Sequence, residues 1–194
     1  MAAEPKPLDH CLVLLTDALY LPGTLVAIDS WRRHNGACPV IVLSRDASLA
    51  NHLELRRLSV RFEWIDEALY RDIPTYKKRR SRRYAETFFK FHAFSDFGHE
   101  RNVFLDSDIL CLRPAPRLAA RSSAPLLAAL DTGFRRTRGY KGHTKEINSG
   151  VLGIDASLQG GRTIRSLIEI AKASPGRGGY DAGDQAVINK WIHR

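Results

Sequence analysis

The 194-residue sequence contains no apolar run long enough to cross a bilayer, and its opening residues, MAAEPKPLDH, lack the apolar core of a signal peptide. Its three cysteines, Cys11, Cys38 and Cys111, form no C-x-x-C pair, so neither a disulfide framework nor a zinc site is indicated. We expect small buried thiols, with Cys11 and Cys111 in core strands. Internal repeats are also absent. Together these absences predict a single cytoplasmic domain over residues 1–194.

Positive charge, in contrast, is in excess, with a formal net charge of +9. Six of the seven residues in Lys77–Arg83 are basic. A solvated loop is one interpretation, and attraction of a phosphorylated ligand, an acidic acceptor or nucleic acid is the other. Aromatic residues are not interleaved with this run, which argues against single-stranded nucleic acid. We therefore do not expect nucleic acid as the main partner.

Short apolar runs alternate along the chain with segments of helical periodicity. Strands are predicted at His10–Leu15, Pro39–Ser44, Val60–Ile65, Val103–Leu105, Pro125–Asp131 and Ile147–Asp155, of which Val60–Ile65 is the more amphipathic. Helices are predicted at Thr24–His34, Leu49–Leu58, Arg83–Phe94, Arg162–Ala173 and Asp181–Trp191. Strands separated by helices indicate an α/β fold with a mostly parallel central sheet flanked by helices.

The stretch Asn102–Pro114 (NVFLDSDILCLRP) places two carboxylates, Asp106 and Asp108, directly after a buried strand and before a second apolar run, Ile109–Leu112. In an extended chain, alternate residues point the same way, so both carboxylates can face one ligand. Hard oxygen ligands suit Mg²⁺ or Mn²⁺. The alternative is a turn whose aspartates only cap the backbone. Ligands bind at the carboxyl ends of the strands in an open α/β sheet, and this position favours the metal.

Four fragments occur in order along the chain: LLTDALYLPG, KFHAFSDFGHERNVFLDSDILCLRP, INSGVLGID and DAGDQAVINKW. Together they resemble the glycogenin-like retaining glycosyltransferases (glycosyltransferase family 8). The resemblance implies the GT-A fold, a Rossmann-like nucleotide-binding sheet joined to a small second sheet. It also implies metal-dependent transfer of a hexose, glucose or galactose, from a UDP-sugar with retention at the anomeric carbon. The acceptor, a glycan, a lipid or a protein, is not identified.

The resemblance also implies which residues bind the donor. Asp106 and Asp108 would hold Mn²⁺ (or Mg²⁺), which bridges the donor diphosphate. The uridine and ribose contacts, together with a basic residue facing the donor, would come from Thr16, Asp17, Tyr20, Ser107 and Lys90. An arginine is also expected near Lys90, with Arg80, Arg82 and Arg83 as candidates.

The donor sugar is expected at two further motifs. Asn148, Ser149 and Gly150 match the family's N-S-G turn, and Asp181, Asp184 and Gln185 match its D-x-x-D-Q. Without the resemblance, Asn148 is equally well explained as a backbone cap, and the aspartates as helix N-terminal residues. Asp184 or Gln185 is where the family's disputed nucleophile would lie. Single displacement assisted by the leaving phosphate stays open as the alternative.

One family feature has no counterpart in this sequence. The resemblance implies a third metal ligand, a histidine in a downstream H-x-x-G-x-K segment, and His143 and His193 match neither the motif nor its position. Basic residues in Lys77–Arg83 or Arg135–Lys145 are candidates to supply charge for the diphosphate instead. We therefore expect a GT-A domain without that segment. The alternative function is a catalytically weak nucleotide-sugar-binding pseudoenzyme or partner subunit.

Overall fold

A computed structural model describes residues 9–74, 86–120, 123–131, 146–173 and 183–193. The basic run at 77–83, the span 132–145 and Asp181 lie outside these ranges, so what the sequence predicts for them stays a prediction.

A central six-stranded sheet organises the described chain. Its strands are β1 (His10–Leu15), β2 (Val40–Ser44), β3 (Arg61–Trp64), β4 (Arg101–Leu105), β5 (Leu126–Leu130) and β6 (Ile147–Asp155). They lie in the order β3-β2-β1-β4-β6-β5. The three pairs among the first four strands are parallel, whereas β6 is antiparallel to both β4 and β5. The predicted mostly parallel α/β sheet is confirmed.

Five α-helices and four 3-10 helices occur in the described ranges. The α-helices are α1 (Leu21–Asn35), α2 (Leu53–Arg57), α3 (Pro116–Ala119), α4 (Gly161–Ala173) and α5 (Asp184–Ile192). The 3-10 helices are Ala47–Asn51, Glu67–Tyr70, Phe88–Phe94 and Ala156–Leu158. Helix α1 has Pro22 in its first turn and ends before Gly36, whose φ of +81° favours glycine. None of these helices combines the length and apolar character that a membrane crossing requires.

Two of the predicted helices differ in kind from expectation. Leu49–Leu58 is a 3-10 helix followed by the short helix α2, with His52 extended between them. The described part of the helix predicted over Arg83–Phe94 is mainly the 3-10 helix Phe88–Phe94. Six of its seven residues are buried, so tertiary contacts around the whole segment, and not one apolar stripe, determine its geometry.

The sheet separates two apolar layers, because alternate strand residues point to opposite faces. On one face, Cys11 and Val13 of β1 pack with the segment Phe88–Phe94 and with helices α4 and α5. On the other face, Leu12 and Leu14 pack against helix α1, including the buried Trp31.

The chain beyond β4 departs from expectation. The apolar run Ile109–Leu112 is not a strand, and Leu110 and Leu112 are 54% and 75% exposed. Cys111 is only partly buried, so its predicted place in a core strand was wrong, although all three cysteines are free thiols. The run lies against helix α1, and the Cys111 N–H donates to Ser30 Oγ of that helix at 3.1 Å. This hydrogen bond ties the run to the helix, and the run does not join the sheet.

Candidate active site at the carboxyl ends of the strands

A cavity of about 630 Å³ opens at the carboxyl ends of β1, β2 and β4, beside β6 and α5. This is the position expected for ligands in an open α/β sheet. The lining residues are Leu15, Thr16, Asp17, Leu19, Tyr20, Arg45, Glu86, Thr87, Phe89, Lys90, Asp106, Ser107, Asp108, Ser149, Asp184 and Gln185. The structure thus brings together ten of the eleven predicted site residues that it describes, all but Asn148, and adds Arg45 and Glu86 to them.

The β1 side of the cavity is formed by the loop that leads into α1. Asp17 Oδ1 accepts hydrogen bonds from the Leu19 and Tyr20 N–H groups, each at 2.9 Å. These bonds hold the loop while Asp17 itself lines the cavity. The Tyr20 side chain is 54% exposed, so the flat ring is accessible to a ligand.

The turn that carries the two aspartates packs directly against the start of α1. A Cβ at Gly23 would lie 2.3 Å from the carbonyl oxygen of Ser107, a distance that no side chain tolerates. The Ser107 hydroxyl donates to the carbonyl oxygen of Leu15 at 2.6 Å and lies 3.0 Å from Thr24 Oγ1. Hydroxyls and a glycine therefore connect the β1 and β4 sides of the cavity.

Asp106 and Asp108 lie on a turn and not on an extended segment. The Ile109 N–H donates to the carbonyl oxygen of Asp106 at 3.0 Å, which closes the turn. The prediction that both carboxylates lie on an extended segment was therefore wrong. Both carboxylates nevertheless line the same cavity, Asp106 partly buried and Asp108 exposed.

Lys90 lies at the centre of a buried polar cluster. Its Nζ is 2.9 Å from Asp106 Oδ1, 3.0 Å from Asp184 Oδ2 and 3.2 Å from Ser149 Oγ. Ser149 Oγ in turn donates to Asp184 Oδ2 at 2.7 Å. Burial alone would lower the pKa of Lys90, but the two carboxylates raise it above its ordinary value. Lys90 is therefore an ammonium ion that joins β4, β6 and α5.

Gln185 is held on both sides of its amide. Its Oε1 accepts from the Ser149 N–H at 3.2 Å, and its Nε2 donates to Asp131 Oδ2 at 2.6 Å. A backbone N–H can only donate and a carboxylate can only accept, so the amide has one orientation. Asp131 was missed by sequence reasoning because its position at the end of β5 carries no recognisable motif.

Asn148 occupies a different position from its predicted neighbours. Its side chain is exposed, does not line the cavity, and accepts from the Gly150 N–H at 2.8 Å. A Cβ at Gly150 would lie 2.8 Å from Asp106 Oδ2 and 3.0 Å from Asn148 Oδ1. The N-S-G sequence therefore gives a close approach of β6 to the Asp106 carboxylate.

The capacity for a metal ion rests on the two aspartates of the β4 turn. Within the described ranges, no three His, Cys, Asp or Glu side chains come together as a metal site. Mg²⁺ and similar ions are commonly held by one or two carboxylates together with the phosphates of a substrate. Asp106 and Asp108 fit that arrangement, in which a bound diphosphate completes the coordination.

Solved structures of glycosyltransferases are similar to this chain. One is the galactosyltransferase LgtC in complex with donor and acceptor sugar analogs, with a TM-score of 0.70 and 20% sequence identity. The alignment covers 93% of this chain and 70% of the LgtC chain. GlyE from Streptococcus pneumoniae TIGR4, in its apo form, gives a TM-score of 0.64 with 20% identity over 95% of this chain and 43% of its own. The bifunctional glycosyltransferase WbbM gives a TM-score of 0.65 with 16% sequence identity, and the alignment covers 94% of this chain and 37% of the WbbM chain.

The chain has the GT-A fold. The predicted α/β class with a central sheet flanked by helices is therefore confirmed. The described residues form one six-stranded sheet, so the small second sheet stays a prediction. At sequence identities of 16–20%, the activity has to be argued from the site. No protein-family model and no curated protein matches the sequence.

Proposed function

We propose that this chain is a metal-dependent retaining glycosyltransferase that moves a hexose, glucose or galactose, from a UDP-sugar to an acceptor glycan, lipid or protein. The observation that carries the proposal is the order of chemistry along the cavity. An accessible aromatic ring lies at the β1 end, two carboxylates at the β4 turn, and a polar cluster at β6 and α5. A nucleoside, a diphosphate and a sugar have the same order in a nucleotide sugar.

At the β1 end, Tyr20 would stack on the base, and Thr16 and Asp17 would contact the uridine. The Ser107 hydroxyl is already bound to the carbonyl oxygen of Leu15, so its backbone is the part that approaches the ribose. Aromatic stacking on a base contributes about 1–3 kcal/mol.

At the β4 turn, Asp106 and Asp108 would hold Mn²⁺ or Mg²⁺, which neutralises the charge that develops on the leaving diphosphate. The Lys90 ammonium lies 2.9 Å from the Asp106 carboxylate and 3.0 Å from that of Asp184, so it offsets part of the negative charge that a diphosphate would meet at this position. A fixed cation in a partly enclosed cavity stabilises a developing anion without needing to reorganise during the reaction.

At the β6 and α5 end, Asp184, Ser149 and Gln185 would bind the sugar near its anomeric carbon, with Asp181 in the same motif. Two routes give retention: attack by Asp184 or Gln185 followed by the acceptor, or single displacement in which the leaving phosphate assists the acceptor. Asp184 is held by both Lys90 and Ser149, and Gln185 by both Ser149 and Asp131. Both side chains are therefore preorganised, which either route requires.

Calorimetric titration with UDP, with and without Mn²⁺, tests the donor site. We expect Mn²⁺ to raise the affinity for UDP. In Asp108→Asn, the ratio of UDP affinities with and without Mn²⁺ should fall by about tenfold or more. Asp108 is the sharper variant because it is exposed and its loss leaves the Lys90 pairs intact. Asp29→Asn is the matched control, since Asp29 is an exposed carboxylate paired with Arg33 on α1. Equal Mn²⁺ dependence in wild type and Asp108→Asn would contradict the metal assignment.

Hydrolysis of UDP-glucose and UDP-galactose without acceptor tests catalysis separately. We expect slow release of one hexose, lost in Asp184→Asn while UDP binding is kept. UDP binding without hydrolysis or transfer would favour the nucleotide-sugar-binding pseudoenzyme. The observation that favours the pseudoenzyme is the ion pair between Lys90 and Asp106, because it already neutralises one of the two carboxylates that would hold the metal.

A further inference from the structure

Arg45 is a positively charged residue of the cavity that neither the diphosphate nor the sugar explains. It follows β2 directly, and β2 lies beside β1 in parallel register. The Thr16 N–H donates to the carbonyl oxygen of Leu43 at 3.0 Å, so the chain reaches Asp17 and Arg45 side by side at the ends of the two strands. Arg45 therefore lines the nucleoside end of the cavity, away from the β4 turn and α5.

The Arg45 guanidinium is held from two other segments. Its Nη1 lies 3.3 Å from both carboxylate oxygens of Glu67, and its Nη2 lies 2.5 Å from Glu86 Oε1. A guanidinium has five N–H donors, and these contacts leave some of them available to a ligand. The side chain is 39% exposed, so it remains accessible from the cavity. Two carboxylates thus orient Arg45 as a fixed donor.

Asp17 supplies an acceptor next to that donor. The Leu19 and Tyr20 N–H groups both bind Oδ1, so Oδ2 is left to accept from a ligand. Burial acts to lower the pKa of Arg45, but Glu67, Glu86 and, to the smallest extent, Asp17 raise it above its ordinary value. The wall of the cavity therefore presents an acceptor and a donor in neighbouring positions.

Uracil and cytosine differ in the pattern that such a wall would meet. Uracil has a donor at N3–H beside an acceptor at O4, whereas cytosine has an acceptor at N3 beside a donor at its N4 amino group. Cytosine would place an acceptor against the Asp17 carboxylate and a donor against the Arg45 guanidinium, which leaves all four groups unpaired.

We propose that Arg45 is a specificity-determining residue that selects a uracil nucleotide by donating to O4, with Asp17 accepting from N3–H. This assignment rests on the proposed function, because it presumes a nucleoside diphosphate in the cavity. Glu67 and Glu86 act as positioning residues that aim the guanidinium.

Competitive calorimetry with UDP and CDP, both in the presence of Mn²⁺, measures the selectivity of the full chain. We expect wild type to bind UDP about 5- to 150-fold more tightly than CDP, the range for one well-matched hydrogen-bonded base edge. Arg45→Met should reduce that ratio to about twofold. A general loss of positive charge would weaken UDP and CDP binding equally, so the ratio reports base reading and not electrostatics.

Two further variants make the test decisive. Asp17→Asn keeps an oxygen for the backbone N–H groups and turns an amino group toward the base, so it should shift the ratio toward CDP. Arg33→Met removes an exposed arginine that pairs with Asp29 on α1, outside the cavity, and should leave the ratio unchanged. Thermal unfolding of each variant checks that it is folded.

The outcomes separate this inference from the proposed function. Equal affinity of wild type for UDP and CDP, or an unchanged ratio in folded Arg45→Met, would overturn the role of Arg45 and leave the glycosyltransferase proposal intact. Failure of wild type to bind either nucleotide would overturn both.

Discussion

Replacing Lys90 with methionine should lower the free energy of unfolding by about 3 kcal/mol. The Lys90 side chain is 8% exposed and its Nζ lies within 3.0 Å of carboxylate oxygens of both Asp106 and Asp184. Methionine keeps most of the aliphatic stem but leaves two carboxylates facing each other without a cation. Removing one partner of a buried ion pair costs about 3–5 kcal/mol. Because Asp106 is 37% exposed and water screens its charge, the lower end of that range applies.

Urea unfolding followed by tryptophan fluorescence measures this cost, and a double-mutant cycle assigns it. Asp184→Asn in the Lys90→Met background removes one of the stranded charges. The double variant should therefore be more stable than the sum of the two single effects by about 1.5 kcal/mol or more. Lys172→Met is the control, because Lys172 is 41% exposed and 3.5 Å from Asp72, and should cost about 0.5 kcal/mol or less.

Two results would refute this reasoning. A loss of less than about 1 kcal/mol in Lys90→Met would mean that the carboxylates are solvated well enough without the ammonium. Additive single effects would mean that Lys90 and Asp184 do not interact in solution, and the preorganisation of Asp184 argued above would fail with them.

Three further predictions concern other parts of the chain. Gly23→Ala should destabilise the fold by about 1–3 kcal/mol and weaken UDP binding, because the new Cβ would lie 2.3 Å from the Ser107 carbonyl oxygen. Urea unfolding measures the first effect and calorimetry the second, and wild-type values in both would contradict the predicted clash. Burial lowers the pKa of His92, so the unfolded chain binds the proton more readily than the folded chain. The contribution of His92 to the free energy of unfolding should therefore be fully present above about pH 6.5 and be lost as the pH falls below it. His92→Phe should make the free energy of unfolding less dependent on pH in that acid range. Burial raises the pKa of the Cys11 thiol to about 12, so this thiol should be unreactive in the folded chain. Ellman's reagent should label the partly buried Cys111 in the folded chain and Cys11 only after denaturation. Equal labelling rates for the two thiols would contradict the buried position of Cys11.

Much of the fold was predictable because local burial leaves a periodic pattern. All six predicted strands match observed strands closely. For β1, β2 and β4 the reason is that a strand buried on both faces is a short apolar run bounded by turn residues. The pattern misled at two segments, and packing around the whole segment explains only the first. Phe88–Phe94 is apolar on several sides and forms a 3-10 helix, and Leu110 and Leu112 are exposed despite their apolar character.

The candidate site was predictable only as far as its motifs extend. The sequence by itself determined that Asp106 and Asp108 follow a buried strand and that Asp184 and Gln185 lie near the start of a helix, because strand ends and helix starts have local signals. Only the tertiary structure decided that Lys90 joins Asp106 to Asp184, that Asp131 holds Gln185, and that Arg45 stands beside Asp17. Those pairings depend on the order and register of strands far apart in the chain, and hydrophobic periodicity carries no information about which strands become neighbours.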